Sequence, residues 1–223
     1  MSVLPVIDAE SLGSAAFREA HGVRLAYVAG SMVQAISSEA LVIRMARARL
    51  LAYFGSGGLP LARVEEGIET IRAALRGEGV FGVNLLSSPM RPEREEETVD
   101  LFLGHGVARV EASAFTQVTP SLVRYRLAGL YRGGDGRVRT RHLLQAKLSR
   151  PEVALQFLSP APERIVARLL DARRITPEQA ALGREIPMAD DICVEADSGG
   201  EREEPVVHSR QVDLARAELL VRA

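Results

Sequence analysis

From residue 25 onward the chain repeats one unit: a short, unbroken apolar run, a turn of glycine or serine, and an amphipathic stretch. An apolar run without polar alternation is what a strand covered on both faces needs, and a helix is what carries the chain back to start the next parallel strand. The runs fall at 25–29, 50–54, 80–86, 107–112, 143–148 and 192–196. The clearest helix lies between the second and third, where Val64, Ile68, Ile71 and Leu75 keep helical spacing before Gly77 and Gly79 stop it. Ser37 and Ser38 ahead of Glu39 predict a helix start, 93–103 predicts another helix, and Thr119-Pro120 suits the cap and first position of a helix through Leu130.

The pattern changes over 151–187, where helical signals follow one another: Ile165, Val166, Leu169 and Leu170 form one stripe and Thr176-Pro177-Glu178 opens a further helix. The expected fold is α/β, an incomplete TIM-type (β/α) barrel of about six parallel strands with a helical insert. Its parts are a lead-in over 1–24, strands one to five over 25–150, the insert over 151–187, the sixth strand and a Gly-Gly loop over 188–200, and a divergent tail over 201–223, read as a polar linker and a weakly amphipathic segment with no further strand.

Composition narrows the function classes. With 223 residues, 47% hydrophobic and 26% charged, the chain has the makings of a packed core rather than of a disordered or fibrous protein. A net charge of -1 offers no bulk attraction to nucleic acid or to a membrane. The one cysteine, Cys193, excludes an intrachain disulfide framework and a cysteine-based zinc cage, and is expected as a small core residue. The start lacks a basic leader and no apolar stretch reaches the roughly 18 residues of a span, so a cytoplasmic address is expected.

In a barrel, chemistry sits at the C-terminal strand ends. That places Gly30, Ser31 and Met32 after strand one, Gly55 to Gly58 after strand two, Asn84 on strand three, Glu111 and Ser113 on strand four, Lys147 on strand five, and Glu195, Asp197, Gly199 and Gly200 on or after strand six. Asn84 interrupts an apolar run, and its amide must either bond a neighbouring backbone group or meet a planar ligand edge. Lys147, the single lysine among 28 basic residues, points either inward to an anionic group or outward to water. His21, His105, His142 and His208 show no metal-ligand spacing and read as surface or capping residues; no metal is assigned. The stretch 124–150 holds eight basic residues against Asp135, either a solvated arginine face or a dock for an acidic carrier, and without interleaved aromatics it does not read as a nucleic-acid surface.

Four segments carry a resemblance: Ala29-Gly30-Ser31-Met32, Phe81-Gly82-Val83-Asn84-Leu85-Leu86, Gln145-Ala146-Lys147-Leu148-Ser149-Arg150-Pro151-Glu152, and the run from Ile186 through Asp190-Asp191-Ile192-Cys193-Val194-Glu195-Ala196-Asp197-Ser198 to Gly199-Gly200. Together they resemble the PfaD-type trans-acting enoyl reductases of polyunsaturated fatty acid and polyketide synthases, within the nitronate monooxygenase (2-nitropropane dioxygenase-like) group of FMN barrels, and the likeness runs from about residue 18 to Gly200. It implies FMN at the barrel mouth, NAD(P)H as hydride donor, and reduction of an unsaturated thioester on an acyl carrier protein or synthase. By matched position Gly30, Ser31 and Met32 would line the flavin, Asn84 would bond its ring edge, Lys147 would stand where reduced-flavin charge develops, and Gly199 and Gly200 would lie beside substrate and cofactor. The 151–187 segment is similar to the family's malonyltransferase-like helical insert.

The family follows the Gly-Gly pair with a histidine and two more strands, whereas this sequence continues with Glu201, so no catalytic residue is assigned. An open barrel of this kind exposes sheet edges for which three covers stand open: the tail helix, a second copy, or a separate chain carrying the missing half. Two other readings stand beside the reductase: a non-catalytic truncated relative serving as a binding module, and a nitronate monooxygenase.

Overall fold

Every predicted apolar run forms a strand in the computed structural model, which describes residues 8–194 and the backbone of 206–208. β1 (Val28–Ala29), β2 (Leu51–Phe54), β3 (Gly82–Leu86) and β4 (Arg109–Ser113) are parallel neighbours. A two-stranded hairpin, β5 (Leu130–Arg132) and β6 (Val138–Thr140), then interrupts the rhythm before β7 (Leu143–Leu148) and β8 (Asp191–Val194) extend the parallel sheet. The sheet order is β1-β2-β3-β4-β7-β8-β9, the last being β9 (Val206–His208), antiparallel to β8. The first six of these are the parallel strands expected of the barrel.

The sequence predicts no further strand in the tail, and β9 corrects that. Its register, Asp191 with His208 and Cys193 with Val206, satisfies an edge of β8 that would otherwise present unpaired backbone. The amphipathic segment expected at 211–221 lies outside the described residues.

The helices are α1 (Ala15–His21), α2 (Glu39–Arg47), α3 (Leu61–Leu75), α4 (Pro92–Gly104), α5 (Pro120–Ala128), and the insert's α6 (Pro151–Phe157), α7 (Glu163–Asp171) and α8 (Pro177–Leu182). Their starts follow the expected chemistry. Ser38 accepts from the Leu41 N–H, Thr119 from Leu122, and Thr176 with Gln179 completes a capping box. Helix α5 stops at Ala128, short of the expected Leu130, because Leu130 already pairs with Thr140 in the hairpin turned by Gly133 to Gly136.

Side chains alternate across each strand, and the two faces differ. On the outer face Ala52, Phe54, Val83, Leu85, Val110, Ala112, Leu144, Ala146 and Ile192 join one core with Phe102, Leu122, Val123 and Phe157 of the surrounding helices. On the inner face, α1 plugs the floor: Phe17 packs with Val23, Leu51 and Tyr53 in a separate, smaller cluster. The sheet curls around this face. In a flat sheet β1 and β4 would stand about 14 Å apart at about 4.8 Å per strand, yet the Ser31 N–H just after β1 donates to Glu111 Oε2 on β4 at 2.9 Å.

Candidate functional site

The inner face gathers polar side chains from separate strands into one row. Register places Asn84 beside Glu111, Glu111 beside Gln145, and Gln145 beside Asp191, so β3, β4, β7 and β8 each contribute one polar residue at the same height. All four are essentially withdrawn from solvent. Two residues nearer the strand ends, Ser113, Lys147 and Cys193 form the next row; below, Tyr53 and Arg109 flank Gly82, with Leu143 beyond Arg109.

Each polar group is held in place. Glu111 accepts from the Ser31 hydroxyl and N–H and, at 3.4 Å, from the Gln145 amide. Asn84 Nδ2 donates to Ser113 Oγ at 2.7 Å and to the Glu111 carbonyl at 3.2 Å, which fixes the orientation of the amide because a carbonyl takes only the nitrogen. Asn84 Oδ1 and Gln145 Oε1 are buried without a partner among the described residues. A buried amide oxygen left unmatched costs on the order of 1–3 kcal/mol, so these two acceptors call for a donor from outside the described residues.

Beneath the row, His21 Nε2 lies 2.8 Å from Asp191 Oδ2, both fully buried, and Arg109 Nη2 donates to the His21 carbonyl at 3.1 Å. The expectation of a surface or capping His21 is thereby corrected, since the floor helix carries it into the lumen. The Tyr53 hydroxyl, also buried and unpartnered, is pushed well above its usual range by burial and by the negative charge of Glu111 and Asp191. It stays a neutral phenol.

The sequence-predicted residues divide as follows. Ser31 and Glu111 meet directly, and a Cβ on Gly30 would sit 3.3 Å from Glu111 Oε1. Asn84 and Ser113 join them, while Met32 is exposed at the rim with its N–H accepted by Ser37. The loops after β1 and β2 interlock so closely that a Cβ on Gly55 would fall 1.7 Å from the Met32 carbonyl, which is why glycine stands there. Lys147 lies on the inner face, half-buried, between Ser113 and Cys193. Cys193 is half-buried on that face rather than in the apolar core. Glu195, Asp197, Gly199, Gly200, Glu201 and the His208 side chain lie outside the described residues.

Of the other histidines, His142 also differs from expectation, whereas His105 bears it out. His142 stacks on Tyr125 at 4.7 Å with Nδ1 2.7 Å from the Tyr125 carbonyl, and burial lowers its pKa. His105 does cap α4, but its Nε2 also lies 2.9 Å from Glu65, and Glu69 completes a cluster whose ligand atoms fall within 4.8 Å of one another. The basic stretch is largely spent in pairs: Arg126 with buried Asp190, Arg124 with Asp100, Arg132 with Glu185 and Arg139 with Asp135. Its hairpin sits at the starts of β4 and β7, lining a cavity of about 650 Å³ with Arg109, Arg137 and Arg141, at the opposite end of the sheet from the polar row's mouth.

Sequence reasoning missed Gln145, Asp191, His21 and Tyr53. Gln145 carried the signal that singled out Asn84, a polar residue inside an apolar run. Among the described residues no helix is long and apolar enough to cross a membrane.

No family model matches the chain. It is 48% identical over 203 residues to the polyketide biosynthesis protein PksE of Bacillus subtilis, covering 91% of this chain and 26% of that protein. It is 47% identical over 197 residues to a component of a Thraustochytrium polyunsaturated fatty acid synthase, covering 88% of this chain and 13% of that protein. With the polyketide biosynthesis protein ThaF of Burkholderia thailandensis it shares 45% over 198 residues, 89% of this chain and 17% of ThaF. Thus the chain spans between 13% and 26% of the length of these relatives. Among solved structures, the enoyl reductase domain of MlnA from the macrolactin biosynthesis cluster of Bacillus amyloliquefaciens superposes with a TM-score of 0.82 at 39% identity, over 86% of this chain and 44% of that one. In sequence and in fold the chain is enoyl-reductase-like, similar to segments of polyketide and polyunsaturated fatty acid biosynthesis proteins.

Proposed function

We infer that this chain forms the flavin-facing part of an FMN-dependent enoyl-thioester reductase that acts in trans on carrier-bound intermediates of polyketide or polyunsaturated fatty acid synthesis. The carrying observation is the buried row Asn84–Glu111–Gln145 with its two unmatched amide oxygens, in a chain so similar to an enoyl reductase domain. The Gln145 oxygen fits the ring N–H of an isoalloxazine, and the loop after β1 approaches the row without a side chain at Gly30, where a Cβ would sit 3.3 Å from Glu111 Oε1. When bound, FMN supplies a two-electron relay from NAD(P)H to the β-carbon of the thioester.

The chain's own residues then have definable tasks. Gly30, Ser31 and Met32 would border the ring, Gln145 Oε1 would accept from its N–H, and the Asn84 amide would stand beside it. The Lys147 ammonium would favour negative charge as it builds on the ring. Ser31 keeps its hydroxyl proton directed at Glu111 Oε2, so Glu111 remains an acceptor and orients the Gln145 amide. Tyr53 and α1 close the floor against water.

Gel filtration of the chain with excess FMN, followed by the visible spectrum of the protein peak, tests the reading: a co-eluting flavin band near one per chain is expected. Its absence contradicts the proposal. NAD(P)H consumption that depends on an enoyl thioester separates the reductase from a nitronate monooxygenase, whose turnover follows nitronate and oxygen instead.

A further inference from the structure

Between the β2–α3 and β3–α4 loops lies a cavity of about 380 Å³ at the mouth end of the sheet. Two helices begin at its wall, α3 with 15 residues and α4 with 13, and neither start carries a side-chain cap. Uncapped N-termini direct unmatched N–H groups and the positive end of the helix dipole outward, a setting that favours an anion. Arg91 and Arg94 line the same wall with Ser56 and Ser88, and no carboxylate does. Arg94 is tied down, donating to the Leu59 carbonyl at 2.6 Å, whereas the Arg91 guanidinium has no partner among the described residues.

The cavity also has a polar inner end. Asn84, 1% exposed, lines it, and its unpartnered Oδ1 is turned to the β2 side, where a Cβ on Gly57 would lie only 2.9 Å away. An oxidised isoalloxazine has one ring N–H, so in that state one of the two free acceptors of the inner row is left over. Gln145, farther from this cavity, suffices for the ring; the Asn84 oxygen then needs an N–H donor from another molecule.

We propose that this cavity is a subsite for a phosphate-bearing ligand with an amide group, the phosphate held by Arg91 and the α3 and α4 starts and the amide N–H accepted by Asn84 Oδ1. Both reaction partners of the function inferred above have this chemistry: a 4′-phosphopantetheine arm carries a phosphodiester and amides, and a 2′-phosphorylated nicotinamide nucleotide carries a phosphate and a carboxamide. The identification of the ligand rests on that function; the anion site rests on the cavity.

Calorimetric titrations would use 4′-phosphopantetheine against pantetheine and NADP+ against NAD+, each with and without FMN. The proposal expects the phosphate of one pair to improve affinity about tenfold or more, the scale of one charge-assisted hydrogen bond, and Arg91→Gln to abolish that preference. Arg137→Gln, the same charge change at the floor hairpin, should leave it intact. The first pair showing the preference makes the carrier arm the occupant, and the second makes it the nucleotide. Equal affinity within both pairs, or a preference that survives Arg91→Gln, overturns the subsite. Failure of FMN to bind while the phosphate preference persists overturns the flavin reading alone, and bound FMN without any preference overturns the subsite alone.

Discussion

The two faces of the same strands make opposite use of their side chains. Outward, Val83, Val110, Leu144 and Ile192 enter a continuous apolar core; inward, one residue along, Asn84, Glu111, Gln145 and Asp191 line up as a buried polar row. The outer face gains by burial alone and tolerates any well-packed apolar set. The inner face is costly to bury and is retained by close pairing, with two acceptors left over among the described residues. Stability is therefore expected to follow the outer face and binding the inner one.

The sharpest way to break this division is on the outer side. Phe102→Ala removes a fully buried ring from the jacket and is expected to cost about 3–5 kcal/mol, read as a lower midpoint in urea unfolding, with FMN affinity per folded molecule unchanged. A parallel loss of affinity in the folded fraction would show that the faces are not separable. On the inner side, Tyr53→Phe deletes a buried hydroxyl that has no partner among the described residues, so stability should hold or rise by up to about 1 kcal/mol. A clear loss in the same unfolding experiment would reveal a bond that the hydroxyl makes.

The smallest effect lies at the α5–β7 junction, away from both faces' central rows. Burial, aided by the charges of Arg126 and Arg141, holds the His142 imidazole below its ordinary 6.5. The unfolded chain takes up the proton first on acidification, so the contribution His142 makes above pH 6.5 is lost as pH falls below 6.5 toward the lowered folded value. His142→Phe, which keeps a ring on Tyr125, is expected to flatten the pH dependence of stability in that window. An unchanged slope would place the dependence on other groups.

The same contrast explains what was legible in the sequence. The outer face and the helices around it write themselves as period: apolar runs for strands, Val64-Ile68-Ile71-Leu75 for α3, serine and threonine caps for α2, α5 and α8. The inner row leaves no spacing signal, because its members come from four strands up to about a hundred residues apart and meet only through register. Asn84 was readable as a polar interruption and Glu111 by its place on the fourth strand. Asp191 and His21 were not, since their pairing spans 170 positions and depends on a seven-residue helix entering the lumen. The hairpin β5–β6 was visible only as its glycine turn, its strands being three residues each. The basic stretch looked like one surface in sequence, yet folding divides it among ion pairs and places its hairpin at the floor.

Neighbours on β7 offer the most direct test, because Leu144 faces the helices and Gln145 faces the lumen. Measured side by side, Leu144→Ala should lose about 2–5 kcal/mol of unfolding free energy while its folded fraction binds FMN as tightly as the parent. Gln145→Leu should keep its stability and lose FMN affinity about tenfold or more. A Gln145→Leu chain that binds FMN like the parent would contradict the assignment of the inner face to the flavin.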